Sequence, residues 1–282
     1  MNLDESNAIA LKRSNRVHWR EGVTVLAVLV AMVCTALAAA PPSPVDTLDV
    51  GQALPRATLL TSGVHRYVRY MISDDSRTLI DLWSRRLSYE NLSGRQVLHI
   101  HQRWDAADKS YVAIFDQIFE AKTFRPLSQT QSVTRNGATK TLSVSFNGPK
   151  VDSTSDSSAE AGKPLHENFA MPFYNFHTDM ELLQALPLKR GYVASIPFYD
   201  VAREPPARYT YRVVGEEALP GADGAPIECW LVLYQSPDPQ VPPIRFWFAK
   251  RNQVLVREEA SVPGQGTLVK TLLNAEAEDG AG

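Results

Sequence analysis

The residue pair whose types and spacing come nearest to chemistry is His99 and His101, separated by Ile100. On a strand, side chains two apart share a face, so both imidazoles point the same way. Two such rings can begin a zinc site, which needs a third ligand and commonly a position for water. His65, His166 and His177 are available as third ligands, but no spacing selects one of them. His99 and His101 share their face with Val97 and Arg103, while Leu98, Ile100 and Trp104 take the other, so the histidines are expected on a solvated outer face. His166-Glu167 is not a zinc-protease motif, because Ala170 stands where the second histidine belongs. The chain carries no Gly-x-Ser-x-Gly elbow, P-loop or Gly-x-Gly-x-x-Gly. Asp105, Asp108, Asp116 and Glu120 offer paired carboxylates that read as ordinary loop and edge solvation. No enzyme is expected, no cofactor, and no metal beyond the weak candidates His99 and His101. A hydrolase with a convergent triad stays the least favoured option, since such triads are recognised by geometry rather than sequence order. The functional feature that remains is a set of aromatics in the second half: Tyr209, Tyr211, Trp230, Tyr234, Phe246, Trp247 and Phe248.

What positions these residues is β-structure. Short alternating segments run over residues 66–72, 78–89, 95–104, 111–120, 124–133 and 139–146, the last two flanking the hairpin signal Asn136-Gly137. In 139–146, Leu142, Val144 and Phe146 face one way and Thr141, Ser143 and Ser145 the other, a half-buried strand with one wet face. Strands resume at 191–199, 207–214, 227–235, 244–250, 253–259 and 267–273. One helix is expected after Thr178, with Thr178 and Glu181 as a capping box and Pro187 as its stop. Ile227, Cys229, Leu231 and Leu233 oppose Trp230, Val232 and Tyr234, so both faces of that strand are apolar. The fold class is therefore mainly β: a curved antiparallel sheet, half-barrel or open barrel, of about a dozen strands with one short capping helix.

The N-terminal region sets the expected compartment. Lys12, Arg13, Arg16 and Arg20 precede an apolar stretch from Val23 to Ala40 that ends in small residues. That order is a bacterial-type secretory signal, with cleavage expected after Ala38 and a periplasmic destination. The alternative is an uncleaved inner-membrane anchor formed by residues 23–40. Cys34 lacks the small preceding residue of a lipid-attachment box. The domain plan is residues 1–38 signal peptide, 39–62 extended linker, 63–274 β domain with a mobile loop at 150–165, and 275–282 disordered tail. The whole chain has 29 Lys and Arg against 31 Asp and Glu, formal net charge −2. Nothing in that balance suits nucleic acid, which needs a basic surface. Cys229 is the single cysteine beyond the signal, so no intrachain disulfide holds the domain and it reads as a small buried residue. Asn91-Leu92-Ser93 matches a glycosylation acceptor and is expected to be a plain turn.

Four short segments occur in an order that resembles a known family: Thr123-Phe124-Arg125-Pro126-Leu127, Leu182-Leu183-Gln184-Ala185-Leu186-Pro187-Leu188, Glu228-Cys229-Trp230-Leu231-Val232 and Phe246-Trp247-Phe248-Ala249. They resemble bacterial periplasmic proteins of the domain-of-unknown-function 3108 family, over about Val64 to Leu273. Those in turn look like the half-barrel lipoprotein carriers, whose curved sheet wraps an apolar cavity lidded by helices. The resemblance implies no catalytic residues, and one short lid helix here departs from the several of the carriers. The expectation is a non-enzymatic envelope protein holding a lipid or other apolar ligand, lined by Leu183, Trp230, Phe246, Trp247 and Phe248. The alternative is an envelope interaction module with a packed core and no cavity, docking on a partner protein.

Overall fold

The computed structural model describes residues 44–153, 165–202, 204–222, 224–236 and 242–277. The expected signal segment, 1–38, and its alternative, an anchor at 23–40, lie outside them. Among the described residues sixteen strands form one sheet. The first half contributes β1 (Val45–Thr47), β2 (Gly63–Ser73), β3 (Ser76–Leu92), β4 (Arg95–Ala106), β5 (Tyr111–Glu120), β6 (Pro126–Arg135), β7 (Ala138–Asn147) and β8 (Lys150–Ser153). The second contributes β9 (His166–Asn168), β10 (Tyr174–Asn175), β11 (Val193–Tyr199), β12 (Ala207–Pro220), β13 (Pro226–Gln235), β14 (Ile244–Ala249), β15 (Leu255–Val262) and β16 (Gly266–Ala277). The helix α1 is Asp179–Gln184, entered through a 3-10 turn at Phe176–Thr178.

The ladder order is β1-β11-β12-β13-β14-β15-β16-β2-β3-β4-β5-β6-β7-β8-β9, with β10 also paired to β11, and the ladder is open. Neighbours are antiparallel except that β1 and β10 join β11 in parallel. The link between the two halves of the sequence is β16 against β2, so the last long strand lies beside the first. The β6–β7 hairpin turns on Asn136 and Gly137, at φ 49° and 78°, the left-handed pair that a two-residue hairpin of this twist demands.

The sheet curls until its two edges meet through side chains. Val144, Phe146 and Val151 from β7 and β8 bury themselves against Phe173, Tyr199 and Val201 at the β11 edge. Tyr199 OH donates to Glu167 on β9 across the same seam. Asn175 Nδ2 reaches Gln129 Oε1 on β6 at 2.6 Å. The ladder is thus open in its backbone and closed in its packing. The segment from β9 to β11, carrying α1, runs inside the curl.

Several sequence expectations are corrected here. The twelve long strands are present, and four more of two to four residues (β1, β8, β9 and β10) join them. Residues 44–60, read as extended linker, instead hold β1 and a 3-10 turn at Ala57–Leu59, and bury Leu48, Leu54, Ala57 and Leu60. The loop at 150–165 begins and ends in the β8–β9 pair, and its residues 154–164 lie outside the described ones. β16 continues through Ala277, with Ala275 to Ala277 paired to His65 through Gly63, where a frayed tail was expected. The capping box does not form: Thr178 Oγ1 donates to Asn175 O at 2.7 Å, and Glu181 turns into the sheet. Asn91 does make a turn, its Oδ1 accepting from Gly94 N at 2.8 Å.

Candidate ligand-binding recess

Strand register assigns the inner face. Asp81, Trp83, Arg85 and Leu87 of β3 stand opposite Ala106, Trp104, Gln102 and Ile100 of β4, and Arg69 and Tyr67 of β2 stand opposite Asp81 and Trp83. The sign of this face is set by the buried apolar members Leu87, Ile100 and Phe115. Charged residues in the same phase are carried inside with them.

Three ion pairs result. Arg69 makes a two-pronged contact with Asp81, its Nε at 2.8 Å from Oδ1, and Tyr111 OH donates to the same carboxylate. Arg85 Nε lies 2.6 Å from Glu181 Oε1 of α1, and its Nη2 donates to His177 O at 2.6 Å as well as to Glu181. Lys270 of β16 pairs with Glu258 of β15. These pairs are buried or nearly so, which makes breaking one partner far more costly than on a surface. Burial pushes the Asp179 carboxyl up to about 6; Glu258 and Glu181 raise it further while Lys270 and Arg85 oppose. Asp179 is the acid left over when the three pairs are formed. Burial lowers the His65 imidazole and raises the Tyr111 phenol.

An aromatic column rises beside the pairs. Trp83 and Trp104 stack with centroids 4.2 Å apart and planes 3° from parallel. Phe115 lies 4.6 Å from Trp104, and His177, in the 3-10 turn that together with α1 forms the lid, lies 4.7 Å from Phe115. On Trp83, Arg69 Cζ sits 4.5 Å and Lys270 Nζ 4.3 Å from the ring centroid. Next to the column runs an amide ladder. Gln102 Nε2 donates to Gln117 Oε1 at 2.8 Å, and Gln117 Nε2 to Gln129 Oε1 at 3.0 Å, where Asn175 also ends.

The two ends of the curl differ. At one end Leu54 N bonds Lys122 O, Arg56 N bonds Ala185 O, and Tyr89 OH reaches Leu60 O, so residues 48–60 cover the interior. At the other, inward Gln131, Val133, Leu142 and Leu268, with Phe176, His177 and Asp179 of the lid and Tyr209 of β12, stay half-buried. Those half-buried residues mark the candidate recess.

The residues expected to line a ligand do not form one set. Phe246 and Phe248 face inward, 6.4 Å apart, and Tyr211 packs 6.0 Å from Phe246. Leu183 is buried on α1. Trp247 takes the opposite face, its Nε1 donating to Glu217 at 2.9 Å among Cys229, Ala249 and Val256. Trp230 is half-buried at the covered end, with Lys250 Nζ 4.8 Å over its ring. Cys229 is buried and free, and burial raises its thiol to about 11. His99 and His101 sit on the outer face, held by Glu90 (2.8 Å to His99) and Asp116 (2.8 Å to His101). Among the described residues no group of three or more His, Cys, Asp and Glu is placed to hold a metal ion. The surface acids are engaged too: Asp105 by Arg103, Asp108 by Ser110 and Glu120 by Arg125. Sequence reading missed Arg69, Asp81, Arg85, Glu258 and Lys270. A usable signal was there, since Asp81 and Arg85 alternate in phase with Trp83 and Leu87, and charge in the apolar phase marks a special interior.

No helix among the described residues is long and apolar enough to cross a membrane. Residues 81–272 match the model of a family described as protein of unknown function (DUF3108). No curated protein matches. Solved structures similar to the chain include a β-barrel-like DUF1849 protein from Brucella abortus, with TM-score 0.49, 12% identity, and 78% of this chain and 99% of that one covered. A DUF1089 family protein from Pseudomonas aeruginosa has TM-score 0.37 and 12% identity, covering 65% of this chain and 90% of its own. A DUF1329 family protein from Desulfovibrio piger has TM-score 0.23 and 11% identity, covering 81% and 90%.

Proposed function

The chain belongs to the family of proteins of unknown function DUF3108, and on that premise we propose that it is an exported, non-enzymatic envelope protein that holds a lipid or other small apolar molecule in the recess. The observation that carries this is the difference between the two ends of the curl. One end is covered by residues 48–60, while inward apolar and aromatic side chains at the other, among them Val133, Leu142, Leu268 and Phe176, keep partial exposure. An apolar guest entering there would gain about 25 cal/mol per Å² of apolar surface removed from water. A few polar groups at the entrance would fix its orientation. Export rests on the basic, apolar and small-residue order of residues 12–40.

The test has two parts. Native mass spectrometry and organic extraction of protein from the periplasmic fraction should find a bound apolar molecule, and N-phenyl-1-naphthylamine should bind purified protein and be displaced by lipid. Absence of both would end the ligand reading. N-terminal sequencing of the fractionated protein should find a start at residue 39, and a full-length chain in the membrane fraction would favour the anchor at 23–40 instead.

A second reading, an interaction module with a filled core that docks on an envelope protein, is favoured by one observation. Phe246, Phe248, Tyr211 and Tyr234 are buried against one another. It predicts no probe binding and co-purification of a partner.

A further inference from the structure

Three polar atoms with no hydrogen-bond partner gather on one patch of the inner face: Trp83 Nε1, Trp104 Nε1 and Gln102 Oε1. All three residues are more than nine-tenths buried. Trp83 and Trp104 are direct partners across β3 and β4, and Gln102 is two residues from Trp104 on the same face. Buried donors and acceptors are normally paired, and unpaired ones call for an explanation. The buried indole of Trp247, by contrast, donates to Glu217, while Arg56 Nε, Arg125 Nε and Thr271 Oγ1 are the other buried atoms without a partner among the described residues. The same atoms have almost no accessible surface, so the patch offers two donors and one acceptor to a guest only when the side chains packed over it move aside.

The surrounding charges restrict what that is. Arg69 and Lys270 lie against the Trp83 ring, but each is already held by its own carboxylate, Asp81 and Glu258. Arg85 is held by Glu181. The spare charge of the region is an acid, Asp179, whose carboxylate accepts from Met180 N at 2.7 Å. An incoming carboxylate or phosphate would find its cations committed and a carboxylate nearby. An ammonium group would leave the indole donors unmade.

Resting on the ligand reading above, we propose that the polar group of the guest is an uncharged acyl carbonyl, of an ester or amide, received by the indole N–H groups of Trp83 and Trp104. Gln102 Oε1 would accept from a hydroxyl or amide N–H beside that carbonyl.

The experiment uses four probes of equal chain length on the purified protein: monolauroylglycerol, N-lauroylethanolamine, laurate and dodecylammonium. Each is measured by displacement of N-phenyl-1-naphthylamine and by the indole ¹H–¹⁵N resonances of the 15N-labelled protein at pH 7.5. The two neutral probes should bind more tightly than either charged one. They should move the Trp83 and Trp104 indole resonances downfield and leave that of Trp247 in place, and whichever binds more tightly tells ester from amide. Trp104→Phe keeps a stacking ring and removes a donor. It should weaken the neutral probes about tenfold beyond any change in N-phenyl-1-naphthylamine, which accepts no such bond and reports the packing lost with the larger ring. Tighter binding of laurate or dodecylammonium overturns the carbonyl assignment while the ligand reading stands. So does binding of the neutral probes without movement of either resonance, which would mean that the indoles contact only water. Failure of every probe, N-phenyl-1-naphthylamine included, on protein from which extraction also recovers no apolar molecule, overturns both.

Discussion

Arg85 and Glu181 join the sheet to the lid through a buried ion pair, and its energetics are lopsided. Removing one charge leaves the other unsolvated, whereas replacing both with apolar groups of similar volume is close to neutral. Glu181→Ala should therefore lower stability by about 3–5 kcal/mol in urea unfolding, and Arg85→Met with Glu181→Leu should recover most of it. A double variant as unstable as the single one would show that the pair is intrinsically stabilising. Asp179 makes a pH-dependent prediction. It faces Lys270 of β16, Glu258 of β15, Arg85 of β3, Glu181 of its own helix, and Tyr67 and Tyr211 of β2 and β12. Its carboxyl rises from 3.8 to about 6 on folding, so the folded state binds the proton more readily than the unfolded chain. The associated stability is present below about 3.8 and is lost as pH rises through about 6. Asp179→Asn should then be the more stable form at pH 7.5 by about 1–3 kcal/mol, with the advantage vanishing near pH 3.5. Equal unfolding midpoints at both pH values would remove the assignment. None of this was legible as a list of motifs. It was legible as phase, because Asp81 and Arg85 keep step with Trp83 and Leu87, and only the search for ligand triads and hydrophobic lining passed over it.

At the scale of the element, alternation was readable wherever it lasted. β5 is found over the very span that its pattern defines, and the hairpin of Asn136 and Gly137 has the backbone that its residue types require. β1, β8, β9 and β10 hold too few residues to display a period of two, and they form because a neighbouring strand offers unpaired backbone groups. The helix was placed correctly and its start explained wrongly. Local spacing gave Glu181 to a cap, and tertiary packing gave it to Arg85 instead. One turn is constrained beyond its loop chemistry. Gly266, at φ 119°, opens β16 where a Cβ would stand 2.0 Å from Ile72 O. Neither the backbone angle nor the space accepts a side chain, and the obstacle is backbone that cannot swing away. Gly266→Ala should cost at least about 3 kcal/mol, whereas Gly264→Ala, with open space around it, should cost less. The comparison is a pair of thermal or urea melts. An equal loss in the two would mean that β16 and β2 can separate locally at little cost.

For the whole molecule the decisive element is the seam, where a sixteen-stranded ladder left open in its backbone is held shut by side chains. Nothing in the sequence announced it, because Val144, Phe146 and Val151 are far along the chain from Phe173, Tyr199 and Val201, and no short-range pattern encodes their meeting. Phe173 lies at its centre, 4.8 Å from Tyr199, 5.7 Å from Phe169 and 6.1 Å from Phe146. Phe173→Ala should cost about 3–5 kcal/mol, as truncation of a fully buried aromatic does. The further consequence depends on topology. The segment that crosses the seam also carries Asn175, His177 and α1 into the interior, so loosening it should release the lid from the Gln129 and Arg85 anchors together. Hydrogen exchange should then quicken in β8, β9 and the 173–184 segment by more than in β3–β5, whose ladder lies away from the seam. Exchange that rises evenly through all strands would instead mean that the sheet unfolds as one unit and that the seam is no separate joint. Faster probe uptake with unchanged final affinity would accompany the first outcome, since the seam would be gating entry while the recess walls stay as they are.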